Sequence, residues 1–119
     1  MCKLALPIVL IFLIAGIQNA PAKCEDPPAP GVDWRGCYKH NADLKKANLS
    51  KANLTLTEFV GADLSGANLT GATMDWAVLT NAKVTGTIFK QAYLGYATWT
   101  DGTPCRGGQY GQSVGKCDH

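Results

Sequence analysis

Proline is missing from the whole stretch between Gly31 and Gly102, so every backbone N–H there remains available to a long hydrogen-bonded ladder. Histidine is scarce. His40 and His119 are the only two, and neither has a serine, cysteine or carboxylate at a recognisable triad spacing. Cys-x-x-Cys and His-x-x-x-His pairs are absent, which removes the ordinary zinc patterns; Asp118 and His119 beside Cys117 offer only an adventitious metal site. No sign of charge dominates either: 11 Lys and Arg stand against 9 Asp and Glu, a formal net charge of +2 that demands no nucleic-acid partner. The composition therefore points to no catalytic residue, no cofactor and no metal.

What is present begins with an amino-terminal leader. Lys3 precedes an apolar run, LALPIVLIFLIAG (4–16), and Ala20-Pro21-Ala22 places small residues two apart before Lys23. That order is an export signal with a cleavage site, and the run is shorter than the roughly 20 residues that an uncleaved bilayer anchor needs. Cys24 lacks the small preceding residue of a lipoprotein, because Lys23 stands there. The expectation is cleavage of 1–22 and an exported, periplasmic or secreted chain from Lys23 to His119. Cys2 leaves with the leader, so Cys24, Cys37, Cys105 and Cys117 remain, an even number in a small exported domain. Four cysteines allow three pairings. Their grouping on either side of the central tract favours Cys24 with Cys37 and Cys105 with Cys117.

The central tract repeats by fives. From 42 the blocks run ADLKK, ANLSK, ANLTL, TEFVG, ADLSG, ANLTG, ATMDW, AVLTN, AKVTG, TIFKQ, AYLGY and ATWTD, and VDWRG and CYKHN precede them in frame. An α-helix would wind leucines spaced by five around all its faces, and a regular strand would send them alternately to opposite faces. A corner at the fifth residue solves both problems. Residues one and three of each block then share the inner face, with Ala or Thr and a large apolar residue, while two and four point outward. The chain must coil, with backbone groups pairing between successive coils about 4.8 Å apart. Gly36, Gly61, Gly66, Gly71 and Gly86, with Asn41, Asn81 and Asp101, supply turn formers at the corners. Asn or Asp at residue two offers short side chains that bond to the backbone at the bend.

These blocks resemble the pentapeptide-repeat family, whose motif is A(D/N)LXX, and the flanks GVDWRGC (31–37) and ATWTDGTPC (97–105) look like those of its small exported bacterial members. The resemblance implies an all-β fold, a right-handed quadrilateral β-helix with 20 residues per coil. On that basis 32–101 form about 3.5 coils, a prism of roughly 17 Å. The expected core centres are Leu44, Leu49, Leu54, Phe59, Leu64, Leu69, Met74, Leu79, Val84, Phe89 and Leu94. Lys39 at a core position and Thr57 and Thr87 in place of Ala depart from the motif. The Pro-rich segment 23–31 and the Gly-rich segment 102–119 read as disulfide-pinned caps, with Trp34 and Trp99 closing the core ends from inside. Caps favour a monomer; without them the coils stack end to end into a dimer.

Twenty residues per coil would align Gly36, Leu56, Trp76 and Tyr96 along one corner, the only apolar one, with Tyr93 extending it. A continuous exposed apolar stripe marks a partner surface, protein or envelope polymer; the alternative is that the tail 102–119 folds back over it. Lys39, Lys45, Lys46 and Lys51 make the first coils basic, either a solvated face or a contact for anionic lipid or cell-wall polymer. His40 reads as a solvated side chain. Asn48, Asn53 and Asn68 begin formal glycosylation triplets that the repeat generates automatically. The function expected is an exported non-catalytic scaffold of the cell envelope. The resemblance also implies an alternative, the acidic DNA mimics that bind topoisomerase, but those are long, cytoplasmic and acidic. A hydrolase with its site in the terminal segments has no residue pattern in its favour.

Overall fold

The computed structural model describes residues 21–105 and Cys117. The leader read in 1–22, apart from its last two residues, and most of 102–119, including Asp118 and His119, lie outside the described residues.

Each outward second residue bridges, in parallel, to the second residue 20 positions on. The series runs from Asp33 with Asn53, through Tyr38 with Glu58, Asp43 with Asp63 and Asn48 with Asn68, up to Val78 with Thr98. The chain therefore returns above itself after four blocks. We number the sides by their blocks: the first holds 32–36, 52–56, 72–76 and 92–96; the second 37–41, 57–61, 77–81 and 97–101; the third 42–46, 62–66 and 82–86; the fourth 47–51, 67–71 and 87–91. No side is long enough for a regular strand, because only three residues lie between corners, so the ladders consist of isolated bridges.

Each corner is closed by a hydrogen bond from residue one of a block to the carbonyl of residue three before it, as in Cys37 N to Trp34 O at 3.0 Å and Ala62 N to Phe59 O at 3.0 Å. Every fifth residue from Gly31 to Tyr96 has positive φ, and the residue before it does not. Among the common turns only type II has that signature. At Asp101 the pattern stops, and the positive φ moves to Gly102. Asp101, expected at a regular corner, is instead where the chain leaves the spiral: Cys105 N donates to Ala97 O, and Pro104 bridges antiparallel to Thr98.

The outward Asn and Asp residues behave as their chemistry requires. Oδ1 of Asp33, Asp43, Asn48, Asn53, Asp63 and Asn68 each accepts the N–H two residues on, at 3.0 to 3.3 Å. That bond satisfies the fourth residue's N–H, which the inter-coil ladder does not use.

Of the expected core centres, all but Val84 are buried, and Val84 packs partly buried against the same cluster. The departures from the motif have physical reasons. Thr57 and Thr87 take the inner place of an alanine and donate their hydroxyls to the carbonyls of Trp34 and Leu64, both at 2.7 Å. Lys39 enters the core column below Phe59, but its amine reaches out to the Cys24 carbonyl at 2.6 Å and sits 3.8 Å over the Trp34 ring. Burial pushes its pKa below the ordinary lysine value, with Glu25 opposing. Trp34 is buried and donates Nε1–H to the Asp26 carbonyl at 3.1 Å; Trp99 tilts against Phe89 with ring centroids 5.5 Å apart.

The cysteines pair as Cys24 with Cys37 and Cys105 with Cys117. Each bridge closes a short loop, which the chain-entropy account values at roughly 3 kcal/mol. Thiol titration of the chain from Lys23, denatured without reductant, is expected to find no reactive group, and four after reduction. Reactive thiols before reduction would contradict the pairing.

Candidate functional site

Leu56, Trp76 and Tyr96 stand one above another at the corner between the first and second sides, and all three are more than half exposed, at 58%, 56% and 60%. Neighbours in a parallel stack lie about 4.8 Å apart, the separation at which flat rings pack. Trp76 and Tyr96 use it: their centroids are 4.7 Å apart and their planes differ by 18°. The two rings thus spend one face on each other and present their edges sideways. Tyr93 lies on the side leading to this corner, bridged to Thr73, and is 36% exposed.

A contact that the periodicity did not reveal supports the stack. Tyr93 cannot cap the N–H two residues on as Asn would, so Asp75 does it from the circuit below, accepting from Gly95 N at 3.0 Å. A Cβ on Gly95 would stand 2.6 Å from that carboxylate oxygen. Glycine at 95 therefore leaves room for the Asp75 carboxylate, and a larger residue would make that carboxylate give up its place beside the Tyr96 corner. The only advance signal was a glycine at the fourth place of its block, where no turn requires one.

The corners divide by residue type. Eight carry a non-glycine residue at positive φ: Asn41, Lys46, Lys51, Leu56, Trp76, Asn81, Gln91 and Tyr96. Asparagine visits that region readily; for the other six it costs roughly 1–2 kcal/mol each. Three of those six form the apolar column, and Lys46, Lys51 and Gln91 lie on the two corners bounding the fourth side.

The expected basic patch does not hold together. Lys39 is engaged at the end of the core, and Lys45 lies 3.7 Å from Asp43 on the third side, leaving Lys46 and Lys51 at adjacent corners. Asp63, above Asp43, is held below its usual pKa by its hydrogen bonds from Ser65, with smaller help from Lys83 and Lys45. Nor is His40 merely solvated. Its Nε2 lies 2.7 Å from Glu58 and its ring packs edge-on to Tyr38 at 5.7 Å. Asp33 pairs with Arg35 at 2.8 Å, and the guanidinium holds that carboxyl below its ordinary range. Tyr38 and Ile88 are also exposed, at 74% and 48%, but each stands alone in its column.

Among the described residues no three His, Cys, Asp or Glu side chains gather as a metal site, and no helix is long and apolar enough to cross a membrane. The sequence matches the pentapeptide repeats pattern in eight copies over residues 31–59 and 57–95. No curated protein matches it. Among solved structures it is similar to HetL, a pentapeptide repeat protein involved in heterocyst differentiation regulation from the cyanobacterium Nostoc sp. strain PCC 7120. The identity is 35% and the TM-score 0.42, covering 59% of this chain and 35% of HetL. It is also similar to a pentapeptide repeat protein from the Arabidopsis thaliana thylakoid lumen, at 26% identity and TM-score 0.38, covering 76% of this chain and 66% of that one. The chain thus spans about a third of the first and just under two thirds of the second.

Proposed function

We propose, starting from the fact that this chain belongs to the pentapeptide-repeat family, that its right-handed quadrilateral β-helix is an exported, non-catalytic scaffold of the cell envelope. On this reading the Leu56, Trp76 and Tyr96 ridge docks a protein or polymer partner. About 3.5 coils form the body, and the disulfide-tied segments 23–31 and 102–119 cap its ends and keep it a monomer.

The observation that carries the reading is the ridge itself. Glycine is the low-strain choice at a corner, and this chain uses it at six of the fourteen regular ones. The ridge column instead places leucine, tryptophan and tyrosine in the left-handed region, at roughly 1–2 kcal/mol apiece. Stacking of one aromatic pair returns only about 0.5–1.5 kcal/mol, and burial returns little to side chains more than half exposed. Strain kept without a structural return is a mark of a surface maintained for contact. Because Trp76 and Tyr96 spend one face of each ring on each other, the ridge presents ring edges, which suit an apolar groove on a partner.

Trp76→Ala is expected to leave the circular dichroism unchanged. It should weaken capture of the partner from an envelope extract by about tenfold or more, the scale of a central interface aromatic. Loss of the folded signal would place Trp76 in a covered core instead, and capture equal to that of the wild type would remove the ridge from the interface.

A further inference from the structure

The first, second and third sides each carry carboxylates, among them Asp33 and Asp75, Glu58 and Asp101, and Asp43 and Asp63. The fourth side, built from 47–51, 67–71 and 87–91, carries none. Lys51 and Gln91 stand on one of its bounding corners, Lys46 on the other, and Lys90 on the side itself, all exposed.

The uncharged residues between these lysines are fixed as donors. Oδ1 of Asn48 accepts both the N–H and the hydroxyl of Ser50, at 3.2 and 2.8 Å. Oδ1 of Asn68 accepts both groups of Thr70, at 3.0 and 2.6 Å. A backbone N–H can only donate, so the oxygen must be the inward atom and each side-chain NH2 is the outward one. The two amides are bridged neighbours, one circuit apart. This side therefore offers ammonium groups and amide donors in two dimensions, with the amide oxygens of Asn48 and Asn68 already occupied.

We propose that the fourth side is a docking surface for a linear acidic polysaccharide, its carboxylates or sulfates met by Lys46, Lys51 and Lys90 and its ring oxygens and hydroxyls by Asn48, Asn68 and Gln91. A surface of donors without a carboxylate complements a chain of acceptors. Single-stranded nucleic acid is the poorer match, because the one aromatic residue of this side, Phe89, is buried in the core and leaves no exposed ring on which bases stack. A lipid surface is poorer too, since Ile88 is its one exposed large apolar residue. Lys46 and Lys51 also hold the left-handed backbone at corners where Gly66 and Gly71 stand one circuit above. The Lys46 stem lies against Gly66, whose added Cβ would be 3.3 Å from its Cγ, so glycine one circuit above leaves that stem its place on the corner. This surface is separate from the apolar ridge, so either reading can fail without the other.

The test uses the chain from Lys23 with polygalacturonate and heparin oligosaccharides as probes in about 50 mM salt, and dextran as the neutral control. Binding is expected to at least one acidic probe and not to dextran, with loss as salt rises. Lys51→Gln with Lys90→Gln should weaken it by about tenfold or more. Lys45→Gln with Lys83→Gln, which removes the same charge from the third side, should change it by less than about twofold. Side-chain amide resonances of Asn48 and Asn68 should shift on titration. Equal loss in the two double variants, no binding to either acidic probe, or tighter binding to phosphatidylglycerol vesicles or a single-stranded oligonucleotide would overturn the proposal.

Discussion

Phe59→Ala is expected to lower the unfolding free energy by about 4 kcal/mol, a large share of the 5–15 kcal/mol typical of a small domain. Phe59 is fully buried in the core cluster. In its column it lies between Lys39 below, whose amine is drawn away to the Trp34 ring and the Cys24 carbonyl, and Leu79 above. Neither neighbour is placed to collapse into the space: Leu79 is held by its own circuit, and moving Lys39 inward would bury its charge. Leu56, three residues earlier, provides the contrast. It is 58% exposed and sits at φ 59°, so Leu56→Gly is expected to cost nothing and to gain up to about 1 kcal/mol from relief of the left-handed strain. Urea unfolding of the two variants followed by circular dichroism checks both. Equal midpoints would mean that third and fifth residues are not inner and corner positions.

Proline placed two residues apart on the third side separates the ladder from the turn. Lys83→Pro is expected to cost about 3 kcal/mol or more, because Lys83 N donates to the Ala62 carbonyl at 2.9 Å between circuits and a ring there removes the bond. Thr85→Pro is expected to be neutral or to stabilise by up to about 1 kcal/mol. Thr85 takes the second place of a type II turn, where proline's fixed φ is favoured, and its circuit has no Asn or Asp at 83 to need its N–H. Thermal unfolding of both variants decides the matter. A strongly destabilised Thr85→Pro would show that the corners are not type II.

The absence of proline from the tract was consistent with a ladder from the start, yet it did not distinguish these two positions; the hydrogen-bond register does. The same gap runs through the candidate surfaces. Aligning Leu56, Trp76 and Tyr96 needed only the block length and 20 residues per circuit. Their stacking, and the contact of Gly95 with Asp75 beside the Tyr96 corner, needed side-chain directions. The four early lysines looked like one patch in the linear order. Folding sends Lys39 to the end of the core and Lys45 to Asp43, and brings Lys90, roughly 40 residues on, to join Lys46 and Lys51 two circuits above them.

The five-residue spacing alone was enough to decide which residues line the interior, because each inner place depends only on its neighbours within a block and a corner of fixed sense. It also placed a turn at every fifth residue, whether or not a turn former stands there, and it made every coil resemble the last. Which outward groups become neighbours is a property of the circuit and not of the block, since residues 20 apart meet only once the chain has closed a full turn. Departures from the repeat had to wait for that closure as well. Lys39, Thr57 and Gly95 each answer to a partner at least 15 residues away, and no local rule carries that information.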